Sequence, residues 1–291
     1  MHQTLILLAA GRASRMKNAP AGEDVAPEDA AQANSLHKGL IGVGEQGRPL
    51  MDYILYNAWK AGHRRAILVT GEDNRHFQSR YGAQRRGNRF HGLEISYAIQ
   101  AIPPGREKPF GTADALCQAL EQFPELQREA FSVCNSDNLY SEKAFRLLRE
   151  TSSLHAWINY DRDALEFTPE RIAGFAVAQT DRAGKLLAMI EKPEVQALEQ
   201  YRGEDGKIRV SMNLFKFSGD VFYPYLRDCP VTPGRNEKEL VSAIAHLVED
   251  NPGSMRGIPL GEHVPDLTEK KDIARVRAYL QQHYARLDWE D

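Results

Sequence analysis

Cysteine is scarce: Cys117, Cys134 and Cys229 are the three in 291 residues, and none has a Cys-x-x-Cys neighbour. An odd, scattered set argues against a disulfide framework and a structural zinc site, and it fits a reducing cytoplasm. Long apolar runs are missing as well. No stretch approaches the roughly 20 residues that a membrane-spanning helix needs. The N-terminus has neither the basic region nor the cleavage-like site of a signal peptide. Excess charge of one sign is also absent, since 37 Lys and Arg against 40 Asp and Glu give a net charge of −3. That leaves no global case for a nucleic-acid partner. The expectation is a cytoplasmic protein with no membrane and no nucleic-acid partner.

What is present is ordinary globular composition, 42% hydrophobic and 26% charged. Residues 5–8 (Leu-Ile-Leu-Leu) read as a strand apolar on both faces. Ala9, Ala10 and Gly11 then make a turn with almost no side-chain bulk, where a flat ligand could lie on backbone. Ser14 follows, with Arg12 and Arg15, whose guanidinium groups suit phosphate oxygens. The turn is not a P-loop and lacks the dinucleotide glycine spacing. A tight turn with surface arginines is the plain structural alternative.

Further along, residues 17–29 are rich in Ala, Pro, Gly and acid without period, and read as a mobile loop. Pro49 starts a helix over 50–61 that Gly62 closes. Strands are expected at 66–70, 93–99, 131–134, 155–160, 210–217 and 254–259, with a hairpin formed by 174–178 and 186–190. The basic stretch 80–91 reads as a solvated loop. Thr112 is expected to cap a helix, Asn236 a second over 237–248, and Thr268 a terminal one. Asp137 comes straight off the end of the 131–134 strand, where a carboxylate facing polyphosphate suits Mg²⁺; a helix cap or Asx-turn is the alternative. Strands alternating with helices argue an α/β, three-layer, mostly parallel Rossmann-like core. The later hairpin suggests a mixed sheet with a small added β lobe.

In this order the motifs resemble those of the sugar-1-phosphate nucleotidyltransferases, the nucleotidyltransferase branch of the glycosyltransferase-A-like fold. LLAAGRASRM resembles the opening nucleotide loop. Lys38 before GLIGVGEQGRPLMDYIL is similar to the lysine of a Pro-Lys element. Gln100 with FGTADAL resembles the base-reading stretch, and NSDNLY the strand-end metal element. EKP at 191–193 and SMNLFKF at 211–217 resemble the sugar-phosphate strands, and VPDLTEKKDIARV the late Asp-x-Gly-Thr stretch. His37, Ser136 and Leu267 depart from the family pattern.

The resemblance implies one nucleotidyltransferase domain over 1–291, with a nucleotide-binding part at about 1–150, a sugar-binding part at about 151–291, and no C-terminal β-helix domain. It implies transfer from an NTP, UTP or dTTP favoured, to a sugar 1-phosphate, with Mg²⁺ as cofactor and pyrophosphate released. The implied catalytic residues are Arg15, Lys38 and Lys192. Ala9, Ala10, Gly11, Ser14, Gln100, Gly111 and Thr112 would hold the nucleotide. Asn138, Glu191, Lys192 and Asn213 would hold the sugar phosphate, and Asp137 and Asp266 the metal. Two alternatives stay open: a non-sugar phosphorylated alcohol or cofactor precursor as acceptor, and a regulatory protein that binds without turnover. Oligomeric state, a homo-oligomer included, stays open too.

Overall fold

Strand β1 (Thr4–Leu8) is apolar from Leu5 onward because helices cover both faces of the sheet at this point. Leu5 and Leu7 point into one core and Ile6 into the other, all three fully buried. The neighbouring strand repeats the alternation, with Leu68 on the first side and Ile67 and Val69 on the second. A computed structural model describes residues 1–18, 25–284 and 286–289. Among these, no helix is long and apolar enough to cross a membrane.

The remaining strands are β2 (Arg65–Thr70), β3 (Asn88–Phe90), β4 (Leu93–Ile99), β5 (Ala130–Asn135) and β6 (His155–Asp161). β7 (Ala176–Thr180), β8 (Leu186–Ile190), β9 (Arg209–Ser218) and β10 (Met255–Leu260) follow. Their order is β10-β6-β9-β5-β1-β2-β4-β3, with the β7–β8 hairpin attached to β9 through β7. β1 runs parallel to β2 and β5, β2 to β4, and β6 to β10. β9 is antiparallel to β5, β6 and β7, so it joins the parallel β1, β2, β4 and β5 to the added lobe. Helices Leu50–Lys60, Glu142–Glu150 and Asp272–His283 lie on the first face, and Thr112–Gln122, Gly219–Arg227 and Leu240–Asp250 on the second. The result is the expected three-layer α/β arrangement. The three cysteines are free and buried.

Several local expectations need correcting. Part of 17–29 lies outside the described residues, but Pro27–Ser35 is a helix, with Pro27 at its start and Asp29 buried against Arg277 at 2.7 Å. Its apolar content is too low for a period to show. The stretch 80–91 is not merely a solvated loop: it contains β3, Arg80 binds the fully buried Asp52, and Arg86 lies over the Phe123 ring. Gly111, not Thr112, is the N-cap of Thr112–Gln122, because the Thr112 hydroxyl accepts from the Leu240 amide at 2.9 Å. Helix Leu240–Asp250 starts later than expected, since Asn236 has a left-handed φ of 54° and Glu239 is the cap position. The terminal helix is capped at Lys271, because Thr268 Oγ1 is committed to Asp266 at 2.7 Å.

Candidate active site

The carboxyl ends of the parallel strands open onto one cleft, the usual ligand position in such sheets. Backbone bonds knit these ends together. Ala9 N donates to Val69 O at 2.8 Å, Gln100 N to Thr70 O at 2.8 Å, and Ser136 N to Leu8 O at 3.3 Å. A cavity of about 470 Å³ lies above them. Ala10, Gly11, Ser14 and Arg15 line it from the first turn, His37 and Lys38 from the second, and Gln100, Gly111 and Thr112 from the third. Asp137 closes it from the end of β5. A second cavity of about 310 Å³ adjoins it, lined by Glu191, Lys192, Ser211, Asn213 and Arg235. Arg15, Thr112, Asn135 and Glu239 line both, so the two share a wall.

Arg15 and Arg12 are exposed cationic side chains, and neither makes an ion pair with a described residue. Lys38 is different. It is buried, and its Nζ donates to Asp137 Oδ2 at 3.0 Å. This pair sets a fixed positive and a fixed negative group side by side where polyphosphate and cation would both be needed. His37 holds the turn, because its Nδ1 accepts from the Gly39 amide at 3.2 Å. Burial pulls the His37 imidazole down to about 4, so it is neutral at physiological pH. Gly39 has no room for a side chain: a Cβ there would lie 2.8 Å from the Ser136 carbonyl. Ser136 in turn donates its hydroxyl to Leu8 O at 2.9 Å, and Leu267 is fully buried in the core. The three departures His37, Ser136 and Leu267 therefore have structural partners.

The second cavity carries strain. Lys192 and Asn213 adopt φ of 45° and 59°, conformations that cost a non-glycine residue about 1–3 kcal/mol and persist only where surroundings dictate them. Arg235 Nη1 bridges Glu191 at 3.0 Å and also pairs with Glu239. Burial, reinforced by Glu239, pushes the Glu191 carboxyl above its ordinary range, with Arg235 and Lys192 opposing.

Three expected residues lie outside the cavities. Ala9 is buried under the turn, its amide used by Val69. Asn138 is buried, near Asn135 Nδ2 and the Tyr140 hydroxyl at 3.5 and 3.4 Å. Asp266 sits next to Asp137 through the Asn138–Asp266 bridge, with Leu267 N donating to Asp137 O at 2.9 Å. Yet its Oδ2 accepts from Arg171 Nη2 and Thr268 Oγ1, both at 2.7 Å. Burial and the charge of Asp137 push the Asp266 carboxyl up from its ordinary range. Among the described residues no three His, Cys, Asp or Glu side chains gather into a metal cluster. The donor set thus fits a cation held by Asp137 and completed by phosphate oxygens and water, while Asp266 is engaged by Arg171. Sequence reading missed Arg171, Arg235 and Glu239. The acid–base run Arg235-Asn236-Glu237-Lys238-Glu239 before an amphipathic helix was the available signal for the last two.

The profile of the nucleotidyl transferase family matches residues 33–287, and the chain belongs to that family. It is 27% identical over 179 residues to the small subunit of chloroplastic/amyloplastic glucose-1-phosphate adenylyltransferase of Triticum aestivum. That match covers 56% of this chain and 36% of the relative, so the aligned part is about a third of the relative's length. The fold matches a UDP-glucose pyrophosphorylase crystallised with UDP-glucose at a TM-score of 0.68, with 14% identity over 97% of this chain and 100% of that one. It also matches a putative glucose-1-phosphate thymidylyltransferase from Bacillus anthracis in complex with a sucrose at 0.66, with 16% identity and 98% of each chain covered.

Proposed function

We propose that the chain transfers a nucleotidyl group from an NTP to a sugar 1-phosphate, releasing pyrophosphate. The observation that carries this is the pair of adjoining cavities with Arg15 on their common wall, one with the Lys38–Asp137 pair and the other with Lys192. Relatives whose names specify glucose-1-phosphate nucleotidylyl transfer support the acceptor class. In this reading residues 1–150 supply most of the nucleotide seat and 151–291 most of the acceptor seat.

A sugar phosphate oxygen attacks the α-phosphorus in line, and pyrophosphate departs. The attacking oxygen is already ionised at neutral pH, so no general base is required. The obstacle is electrostatic, because two polyanions must meet and charge must move onto the leaving group. Arg15 lies where both substrates would place phosphate and serves both. Lys38 exchanges its bond to Asp137 for phosphate oxygen. Lys192 neutralises the acceptor phosphate, with Glu191 and Asn213 beside the sugar hydroxyls. Asp137 would hold Mg²⁺, which when bound adds positive charge against the triphosphate.

The test is pyrophosphate release with four NTPs crossed against sugar 1-phosphates and alcohol phosphates, with Mg²⁺. Turnover confined to sugar 1-phosphates supports the proposal, and turnover confined to alcohol phosphates replaces the acceptor. Nucleotide-dependent thermal stabilisation without any pyrophosphate would assign a binding role instead.

A further inference from the structure

One face of helix Thr112–Gln122 carries three polar side chains at intervals of four: Asp114, Gln118 and Gln122. All three face the chain where β4 ends. Gln122 Nε2 donates to Ile99 O at 2.8 Å while its Oε1 accepts from Ile99 N at 2.9 Å. Gln118 does the same to the next outward-facing residue, donating to Ala101 O at 3.1 Å and accepting from Ala101 N at 2.9 Å. The residue between them, Gln100, points the other way along the strand end, and its amide is taken up by Asp114. Gln100 Nε2 donates to Asp114 Oδ2 at 2.8 Å and to Gly111 O at 3.0 Å. Gln118 Nε2 also donates to Asp114 Oδ2, at 2.9 Å.

A carboxylate and a backbone carbonyl only accept hydrogen bonds. The amide of Gln100 therefore has one permitted orientation, with both N–H groups occupied. Its oxygen takes no hydrogen bond from the described residues and is not sealed away. Gln100 is 3% exposed and lines the nucleotide cavity. A free glutamine could turn to match a donor or an acceptor; this one presents an acceptor alone.

We propose that Asp114 is a positioning residue that fixes Gln100 as a hydrogen-bond acceptor, so that the site selects nucleotides whose pairing edge carries a ring N–H. This rests on the nucleotidyl-transfer reading above. Uracil, thymine and guanine supply such an N–H. Cytosine and adenine place a ring lone pair there, which would oppose the Gln100 oxygen. The ladder also explains why an anchored amide is rigid: Gln118 and Gln122 hold the helix in register with the strand end, and any shift of Asp114 would break bonds at both.

The test compares kcat/KM for UTP against CTP, and for GTP against ATP, in the wild type, Asp114→Leu and Asp114→Asn. Within each pair the rings are nearly the same size, so steric effects largely cancel. The wild type is expected to favour the ring N–H member of each pair by about tenfold or more. Asp114→Leu should cut that preference about tenfold, through KM for the nucleotide rather than kcat. Asp114→Asn keeps an acceptor and should retain most of it. Should Asp114→Leu fail to fold, Gln118→Leu loosens the same carboxylate and should lower the preference about threefold. Equal use of both members of each pair by the wild type, a preference for CTP or ATP, or an unchanged ratio in the folded Asp114→Leu or Gln118→Leu variant overturns the proposal. Absence of pyrophosphate from every NTP would instead defeat the underlying reading.

Discussion

The two cavities on either side of Arg15 are made by different means. The first, the proposed nucleotide seat, is a product of topology. Parallel strands end side by side, their turns are tied by backbone bonds, and small residues leave room for a ligand. The second, the proposed acceptor seat, is a product of side chains. It is lined from β9 and the segment after β8, and two of its residues, Lys192 and Asn213, are held in left-handed backbone conformations. The first kind of site persists wherever the sheet forms. The second depends on local strain and on charge pairs such as Arg235 with Glu191 and Glu239. On the proposed reading, acceptor choice is therefore the more easily altered property.

The sharpest way to separate the halves is to remove their charges. Arg15→Ala and Asp137→Ala are expected to lower kcat by about 10²–10³-fold, the usual loss for a group stabilising transition-state charge, with the thermal midpoint near wild type for the exposed Arg15. Near-normal turnover in either would take that group out of the mechanism. Lys192→Ala is expected to raise KM for the sugar phosphate by about tenfold or more while KM for the NTP holds, since a lost phosphate contact on one side should not reach the other. Equal changes in both constants would show that the halves are not separable.

Gly111 offers a way to damage both at once through packing. It has a φ of 103°, and a Cβ would lie 2.3 Å from the Lys238 carbonyl. Gly111→Ala should destabilise the protein by about 2–4 kcal/mol, visible as a lower urea midpoint. An unchanged midpoint would mean the 236–239 loop yields freely.

The effect with the least bearing on either cavity lies at the opposite end of the sheet, where neither reaches. His63 is fully buried and its imidazole is pulled down to about 3 by burial, with Arg149 adding to the shift. The unfolded chain takes up a proton below pH ~6.5 that the folded one refuses. Stability should therefore fall as pH drops from ~6.5, by up to about 1.4 kcal/mol per pH unit from this group, until the folded value is reached. His63→Gln should flatten that part of the thermal midpoint against pH profile. A parallel, merely displaced profile would clear His63 of the effect.

Much of the lining of the first cavity was legible because its signals are local. Apolar runs collapsing into Ala, Gly, Ser or Asp mark strand ends, and Arg15, Lys38, Gln100 and Asp137 were reached that way or through motif order. The failures share a cause in distant partners. Thr112 and Thr268 look like helix caps, but their hydroxyls serve Leu240 and Asp266. Asp266 reads as a ligand from the motif alone, and the engagement of its Oδ2 by Arg171, 95 residues earlier, was not visible there. Nothing near Asp266 in the chain announces that arginine. Lys192 and Asn213 were found, but their backbone strain was not, since neither residue type demands a positive φ.

β9 has a consequence for how the chain comes into being. It is the central seam of the sheet, between β5 and β6, yet residues 209–218 leave the ribosome after both neighbours. Until they do, β5 presents an open edge of unpaired amides and carbonyls, the kind of surface on which nascent chains stick to one another. A fragment that stops at residue 150 would keep that edge permanently. The first 150 residues, proposed above to supply most of the nucleotide seat, are therefore not a unit by biogenesis.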